Sequence, residues 1–97
     1  MEYIVETTSI FDAWHCSLRD KVAKIAIARR LERAEHGNFG DHKAIREGVS
    51  EMRVSIGAGY RLYYTIRDRQ IIFLLCGGDK ASQKSDIEQA IKIAKEL

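Results

Sequence analysis

The sequence predicts a small α+β domain: an antiparallel sheet with an N-terminal helical hairpin and a C-terminal helix, in the order β-α-α-β-β-β-α. Three observations predict it. A glycine-free run rich in helix formers extends from about Ile10 to Ala34. Three β-rich segments separated by tight-turn signals occupy the stretch from Glu51 to Cys76. The stripe Ile87, Ala90, Ile91, Ala94, spaced i, i+3, i+4, i+7, then closes the chain as an amphipathic helix.

The elements follow in order. Glu2 to Thr8 is β-rich with loose alternation and reads as a short strand. Ser9 or Asp12 is placed to cap the first helix, and a break near Ser17 to Asp20 divides the helical run into a short helix and a long one. Ala23, Ile27, Leu31 and Ala34 line one face of the long helix, and Gly37-Asn38 stops it. Residues 37–48 read as a polar loop carrying His42, Lys43 and Arg46. In the strand Glu51 to Ile56, Met52, Val54 and Ile56 share the core face, leaving Glu51, Arg53 and Ser55 on the other. Gly57-Ala58-Gly59 turns the chain into the strand Tyr60 to Arg67, where Leu62, Tyr64 and Ile66 point inward and Arg61, Tyr63, Thr65 and Arg67 outward. After the turn at Asp68-Arg69, the unbroken apolar run Ile71 to Cys76 reads as a central strand buried on both faces, ended by Gly77-Gly78. Ser85-Asp86-Ile87-Glu88 has the form of a capping box at the start of the last helix.

With 97 residues, 45% of them hydrophobic, the chain reads as one domain over 1–97, near the low end of what buries its own core. That length excludes two-domain enzymes and barrel or dinucleotide-binding enzymes. The aliphatic content excludes disorder, and no uncharged apolar run is long enough to span a membrane. Met1 runs directly into Glu2 and an alternating segment, so no signal peptide is expected. Two cysteines make no disulfide framework, so Cys16 and Cys76 are expected as reduced core thiols of a cytoplasmic protein.

Metal and nucleotide chemistry find no support. There is no Cys-x-x-Cys pair, His15, His36 and His42 lack ligand spacing, and the glycines at 57, 59, 77 and 78 form no phosphate-binding fingerprint. No metal or cofactor is expected. The formal charge of +2 names no partner, so the distribution of cations has to carry the argument. Arg53 and Arg61 fall on the outward face of adjacent strands, Lys80 follows the central strand, and Lys43 and Arg46 precede the three-strand meander. Such a cluster suits phosphodiesters, through charge and forked hydrogen bonds.

Gly-Tyr-Arg-Leu-Tyr-Tyr at 59–64 follows a Glu-Met-Arg-Val strand and precedes Leu-Leu-Cys-Gly-Gly-Asp-Lys at 74–80. With Gly-Asn-Phe-Gly-Asp-His-Lys at 37–43 and the closing Lys-x-x-Gln-x-x-Asp-Ile-x-x-Ala pattern, the chain resembles the RelE/ParE toxin superfamily over essentially its whole length. The closest subgroup is the addiction module killer, or HigB-like, toxins. The resemblance implies a small RelE-like fold and the toxin of a type II toxin–antitoxin system, with an antitoxin partner of helix-turn-helix type encoded next door. It further implies a ribosome-dependent mRNA interferase, a metal-independent endoribonuclease that enters the A site and inhibits translation. A dimer or a toxin–antitoxin heterotetramer is the assembly implied. The alternative within the superfamily is a ParE-like inhibitor of DNA gyrase with no nuclease activity.

In the interferase reaction a ribose 2′-OH attacks the adjacent phosphate, giving a 2′,3′-cyclic phosphate and a 5′-OH end. That needs cations for the phosphorane and groups to move two protons. The resemblance puts Arg61 on the scissile phosphate, Arg53 beside it, and Lys80 at the transition state or leaving oxygen. Lys43 and Arg46 would grip flanking RNA phosphates, Tyr63 would stack a base, and Gln83 would orient phosphate or base. The tyrosine that several RelE-type enzymes carry in the last segment is missing here, since none follows Tyr64. His42 is then the candidate base, its ordinary pKa suiting the task.

Overall fold

The structure, a computed structural model, describes residues 1–97. Its elements are β1 (Ile4–Thr7), α1 (Ser9–Ser17), α2 (Lys21–Glu35), β2 (His42–Arg46), β3 (Val49–Val54), β4 (Tyr60–Arg67), β5 (Ile71–Asp79) and α3 (Gln83–Glu96). They form one five-stranded sheet in the order β1-β5-β4-β3-β2. The α+β class and the helical hairpin stand as expected, with two corrections. β1 pairs with β5 in parallel, so the sheet is mixed. Residues 42–46, read as loop, form an antiparallel edge strand against β3. An edge strand has one neighbour and little to bury, so its sequence shows no alternation. Its turn into β3 puts Glu47 and Gly48 at φ 52° and 80°, the signs of a type I′ hairpin turn.

Helix starts depend on side chains near those expected. Thr8, one residue before Ser9, caps α1 by accepting from the Phe11 N–H, while its hydroxyl donates to Leu75 O and ties the helix to β5. Asp20 caps α2 through the Ala23 N–H at 3.1 Å. α3 begins at Gln83, ahead of the expected capping box. Asp79 accepts from the Ala81 and Ser82 N–H groups and folds the connector into a tight turn. The Ser85 hydroxyl donates to Ser82 O instead of capping.

The larger correction concerns the sheet's faces. α1 and α2 cover one face over a core that includes Phe11, Ile27, Met52, Leu62, Tyr64 and Leu74. α3 covers much of the other, burying Val49, Tyr63, Leu75, Cys76, Ala90 and Ala94. The face expected to be open is therefore a second core along most of its length.

β5 serves both layers through a bulge. Tyr63 pairs with Cys76 and Tyr64 with Leu74, leaving Leu75 as the extra residue. Leu75 and Cys76 thus both join the α3 layer. Gly77 and Gly78, expected to end β5, lie inside it. A Cβ on Gly77 would overlap the Trp14 ring of α1, and one on Gly78 the Asp86 carboxylate of α3.

The cysteines separate accordingly. Cys76 is buried as expected, and Cys16 is exposed, so it is not a core thiol. Burial, and next the Asp86 charge, push the Cys76 thiol up to about 12. A raised pKa leaves almost no thiolate at pH 8. Native protein is therefore expected to take up one equivalent of a thiol reagent, at Cys16, and a second only after unfolding. Rapid native labelling of both would contradict the packing of α3.

Candidate active site

Arg53 and Arg61 are direct cross-strand partners on β3 and β4, on the α3 side of the sheet. They lie where α3's cover ends. Beyond it opens a shallow cleft of about 400 Å³, lined by both arginines, Lys80, Asp41 and the 57–60 turn. The Arg61 side chain is 13% exposed and that of Arg53 38%. Beneath them lies Glu51, 0% exposed, with one carboxylate oxygen 3.5 Å from Arg53 Nε and 3.6 Å from Arg61 Nε. Asp41 flanks the cleft and accepts from Arg53 Nη2 at 3.3 Å, while its backbone carbonyl accepts from the Arg53 N–H at 2.8 Å.

This corner is held from the opposite face. Arg30 of α2 donates to the carbonyls of Arg53, Phe39 and Asp41, pinning β3 to the turn that carries Asp41. Burial lowers the Arg30 pKa. The residue that most shapes the 38–41 turn thus lies on a helix on the far side of the sheet.

The expected site residues divide clearly. Arg53, Arg61 and Lys80 come together at the cleft. Lys43 pairs across from Glu51 and so lies on the same face, exposed, one strand further out. Arg46 pairs with Val49, four residues along β3 from Arg53, or roughly 13 Å away. Its guanidinium meets Glu47 at 3.0 Å, so it does not belong to the cleft. Gln83 is a half-buried first-turn residue of α3 outside the cleft lining.

Two assignments fail on geometry. Tyr63 is 0% exposed under α3, so it cannot stack a base. Its hydroxyl has no hydrogen-bond partner, and burial followed by the Glu51 charge raises its pKa. His42 pairs with Met52 and so occupies the α2 side of the sheet, away from the arginines. Its Nδ1 donates to Gly40 O at 2.9 Å and its ring meets Phe39 edge-on at 5.6 Å. His42→Ala is accordingly expected to leave any RNA cleavage, and its pH profile, unchanged. A slower, pH-insensitive His42→Ala enzyme would restore His42 as base.

Sequence reasoning put Glu51 on the face of Arg53 without a role in the site, and missed Asp41 and Arg30. Glu51 had a signal: Glu-Met-Arg spacing puts the acid on the same strand face as Arg53. Arg30 had none, because its partners are backbone carbonyls of distant segments.

Two guanidinium groups and an amine at a shallow opening, backed by a buried carboxylate, have the donors that could hold an oxyanion. The fold around them is that of the RelE toxins. Over 95% of this chain and 97% of the other, it superposes on a mutant of the E. coli toxin RelE in the free state with a TM-score of 0.76, at 16% identity. The Mycobacterium tuberculosis RelBE2 toxin–antitoxin complex matches with a TM-score of 0.66 and 20% identity, over 82% of this chain and 100% of that chain. At such identities the likeness is one of fold. The chain belongs to the phage-derived Gp49-like protein family, whose pattern matches residues 11–97. It is 43% identical over 93 residues to an uncharacterized protein of Haemophilus influenzae, covering 96% of this chain and 94% of that one.

Proposed function

We propose that this chain is the toxin of a type II toxin–antitoxin pair and acts in the cytoplasm as a ribosome-dependent mRNA interferase of the HigB-like kind. The observation that carries the reading is the pairing of Arg53 with Arg61 across β3 and β4, with Lys80 at the same cleft. Phosphoryl-transfer chemistry in RNA needs cations aimed at the phosphorane, an aligned 2′-OH and a route for two protons. Arg61 and Arg53 would hold the scissile phosphate, the 2′-OH proton would pass to solvent water in the open cleft, and Lys80 would protonate the leaving 5′ oxygen. Lys43 would extend the phosphate track. With His42 and Tyr63 turned away from the cleft, alignment and electrostatics carry most of the rate.

An antitoxin partner fits the same reading, since the RelE-type fold occurs in the RelBE2 toxin–antitoxin complex. An acidic, amphipathic antitoxin segment suits both the cationic cleft and the α2 groove. There Val22 and Ile25 are exposed beside Arg29 and Arg33. The gyrase-inhibitor alternative uses the same fold without needing paired arginines at a cleft.

The test is expression of the chain alone, with pulse labelling of protein and DNA synthesis. Protein synthesis is expected to stop first, with mRNA fragments ending in 2′,3′-cyclic phosphates. A primary block of DNA synthesis with induction of the DNA-damage response would overturn the interferase reading in favour of gyrase.

A further inference from the structure

We infer that Glu51 is a positioning residue, one carboxylate tethering both arginines by their Nε atoms so that their terminal nitrogens face the cleft. The inference rests on the interferase reading for its effect on rate, but the tether itself stands on geometry.

Arg53 and Arg61 are directly opposite on antiparallel strands, where like charges repel and the side chains splay. Both hold an ordered place here because a third charge sits between them. Glu51 lies two residues before Arg53 on the same face and diagonal to Arg61, about 7–8 Å between Cα atoms, within reach of long side chains. Its Oε2 stands 3.5 Å from one Nε and 3.6 Å from the other. These distances exceed hydrogen-bond length, so the link is one of charge. It is made side-on, through the one nitrogen of each guanidinium nearest the chain. The forked end of Arg61, which recognises phosphate two oxygens at a time, remains available to a ligand, whereas Arg53 Nη2 donates to the exposed Asp41, which a phosphate would displace.

The surroundings favour this use of a buried acid. Tyr63 fills the position opposite Glu51, and both are 0% exposed. With water excluded around it, the charge acts on its neighbours more strongly than it would in solvent. A buried carboxylate with no cation would be costly, so the three groups stand or fall together. Glu51 is not a candidate base: with no exposed surface, it cannot reach a substrate hydroxyl. Its work is exerted through the arginines.

The charge sign gives a signature that a purely structural role lacks. Glu51→Gln removes a negative charge from beneath the cleft, so RNA binding should hold or tighten. The arginines, freed of their tether, should lose alignment, and a misplacement of about 1 Å costs on the order of 100-fold in rate. The expected result is a split: unchanged or lower KM, with kcat down on the order of 10- to 100-fold. Glu51→Asp, which keeps the charge and shortens the reach, should bind like the native chain and still cleave slowly.

The experiment measures melting, affinity for RNA made uncleavable by a 2′-deoxy substitution, and single-turnover cleavage on programmed ribosomes. In parallel, arginine Nε–Hε NMR on the intact chain reads how firmly each guanidinium is held in its buried place. Two slowly exchanging Hε signals, assigned through Arg53→Lys and Arg61→Lys, are expected in the native chain and should be lost in Glu51→Gln. Native cleavage by folded Glu51→Gln, or a fall in rate matched by an equal fall in affinity, would overturn the inference. Rapid exchange of both Hε signals in the native chain would overturn it too. If the native chain does not cleave RNA, the interferase reading falls by itself, and the Hε spectra still decide the tether. If Glu51→Gln does not fold, the native spectrum and Glu51→Asp decide.

Discussion

An Arg61→Ala chain is expected to cleave RNA about 100-fold more slowly, the usual cost of one preorganised cationic contact to a transition state, near ~3 kcal/mol. It is also expected to melt earlier. A side chain on an open sheet face would leave stability untouched, but Arg61 is 13% exposed and pairs with a carboxylate that water cannot reach. Removing it leaves Arg53 as the remaining cation beside Glu51, a loss on the order of 1–3 kcal/mol. Melting curves separate the two effects, because single-turnover rates are compared at temperatures where both proteins are folded. A folded Arg61→Ala chain with native cleavage would remove Arg61 from the chemistry. Lysine in its place should recover part of the stability and little of the rate, since an ammonium has no fork.

Gly77→Ala should be the most damaging small substitution in the chain. The added methyl would overlap the Trp14 ring, a large rigid group packed between α1 and the sheet. Overpacking of this kind costs about 1–3 kcal/mol and occasionally more. For a domain of this size that lowers Tm by roughly 5–20 °C. Gly78→Ala meets the end of the Asp86 side chain instead, which can swing aside, so its cost should be smaller. Thermal unfolding followed by circular dichroism ranks the two. Equal melting of Gly77→Ala and the native chain would mean that Trp14 does not pack on β5 as described.

The parts legible in the sequence are those where one residue's neighbours decide its state. β4 runs from Tyr60 to Arg67 as its alternation requires, and α2 ends where Gly37 at φ 88° permits. β3 starts two residues early, because Val49 and Ser50 gain pairing from β2, a strand with no pattern of its own. The site was half legible for the same reason. Spacing alone brings Arg53 to Arg61, and Lys80 joins them by its place just after the central strand. What hides Tyr63 is α3, which returns across the sheet from more than twenty residues downstream. Glu51, Tyr63 and Thr65 are polar enough to read as a wet face, yet all three are buried beneath it. His42 failed by parity: in an edge strand unrecognised as a strand, nothing assigns a side chain to one face or the other.

The bulge at Leu75 makes β5 unequal in its tolerance of insertions and deletions. β5 carries one residue more than the ladder with β4 requires, and the surplus lies before Cys76. A gene that lost one codon between Ile72 and Leu75 would still specify a regular strand, with both glycines in their places beneath Trp14 and Asp86. The loss would be one apolar side chain. A codon lost at Gly77 has no such reserve: with Gly78 still opposite Arg61, Cys76 would be drawn opposite Leu62, into the place under Trp14 that admits no side chain. Length variation among relatives of this protein should therefore fall on the N-terminal half of the strand. The half that leads to Lys80 should keep its count.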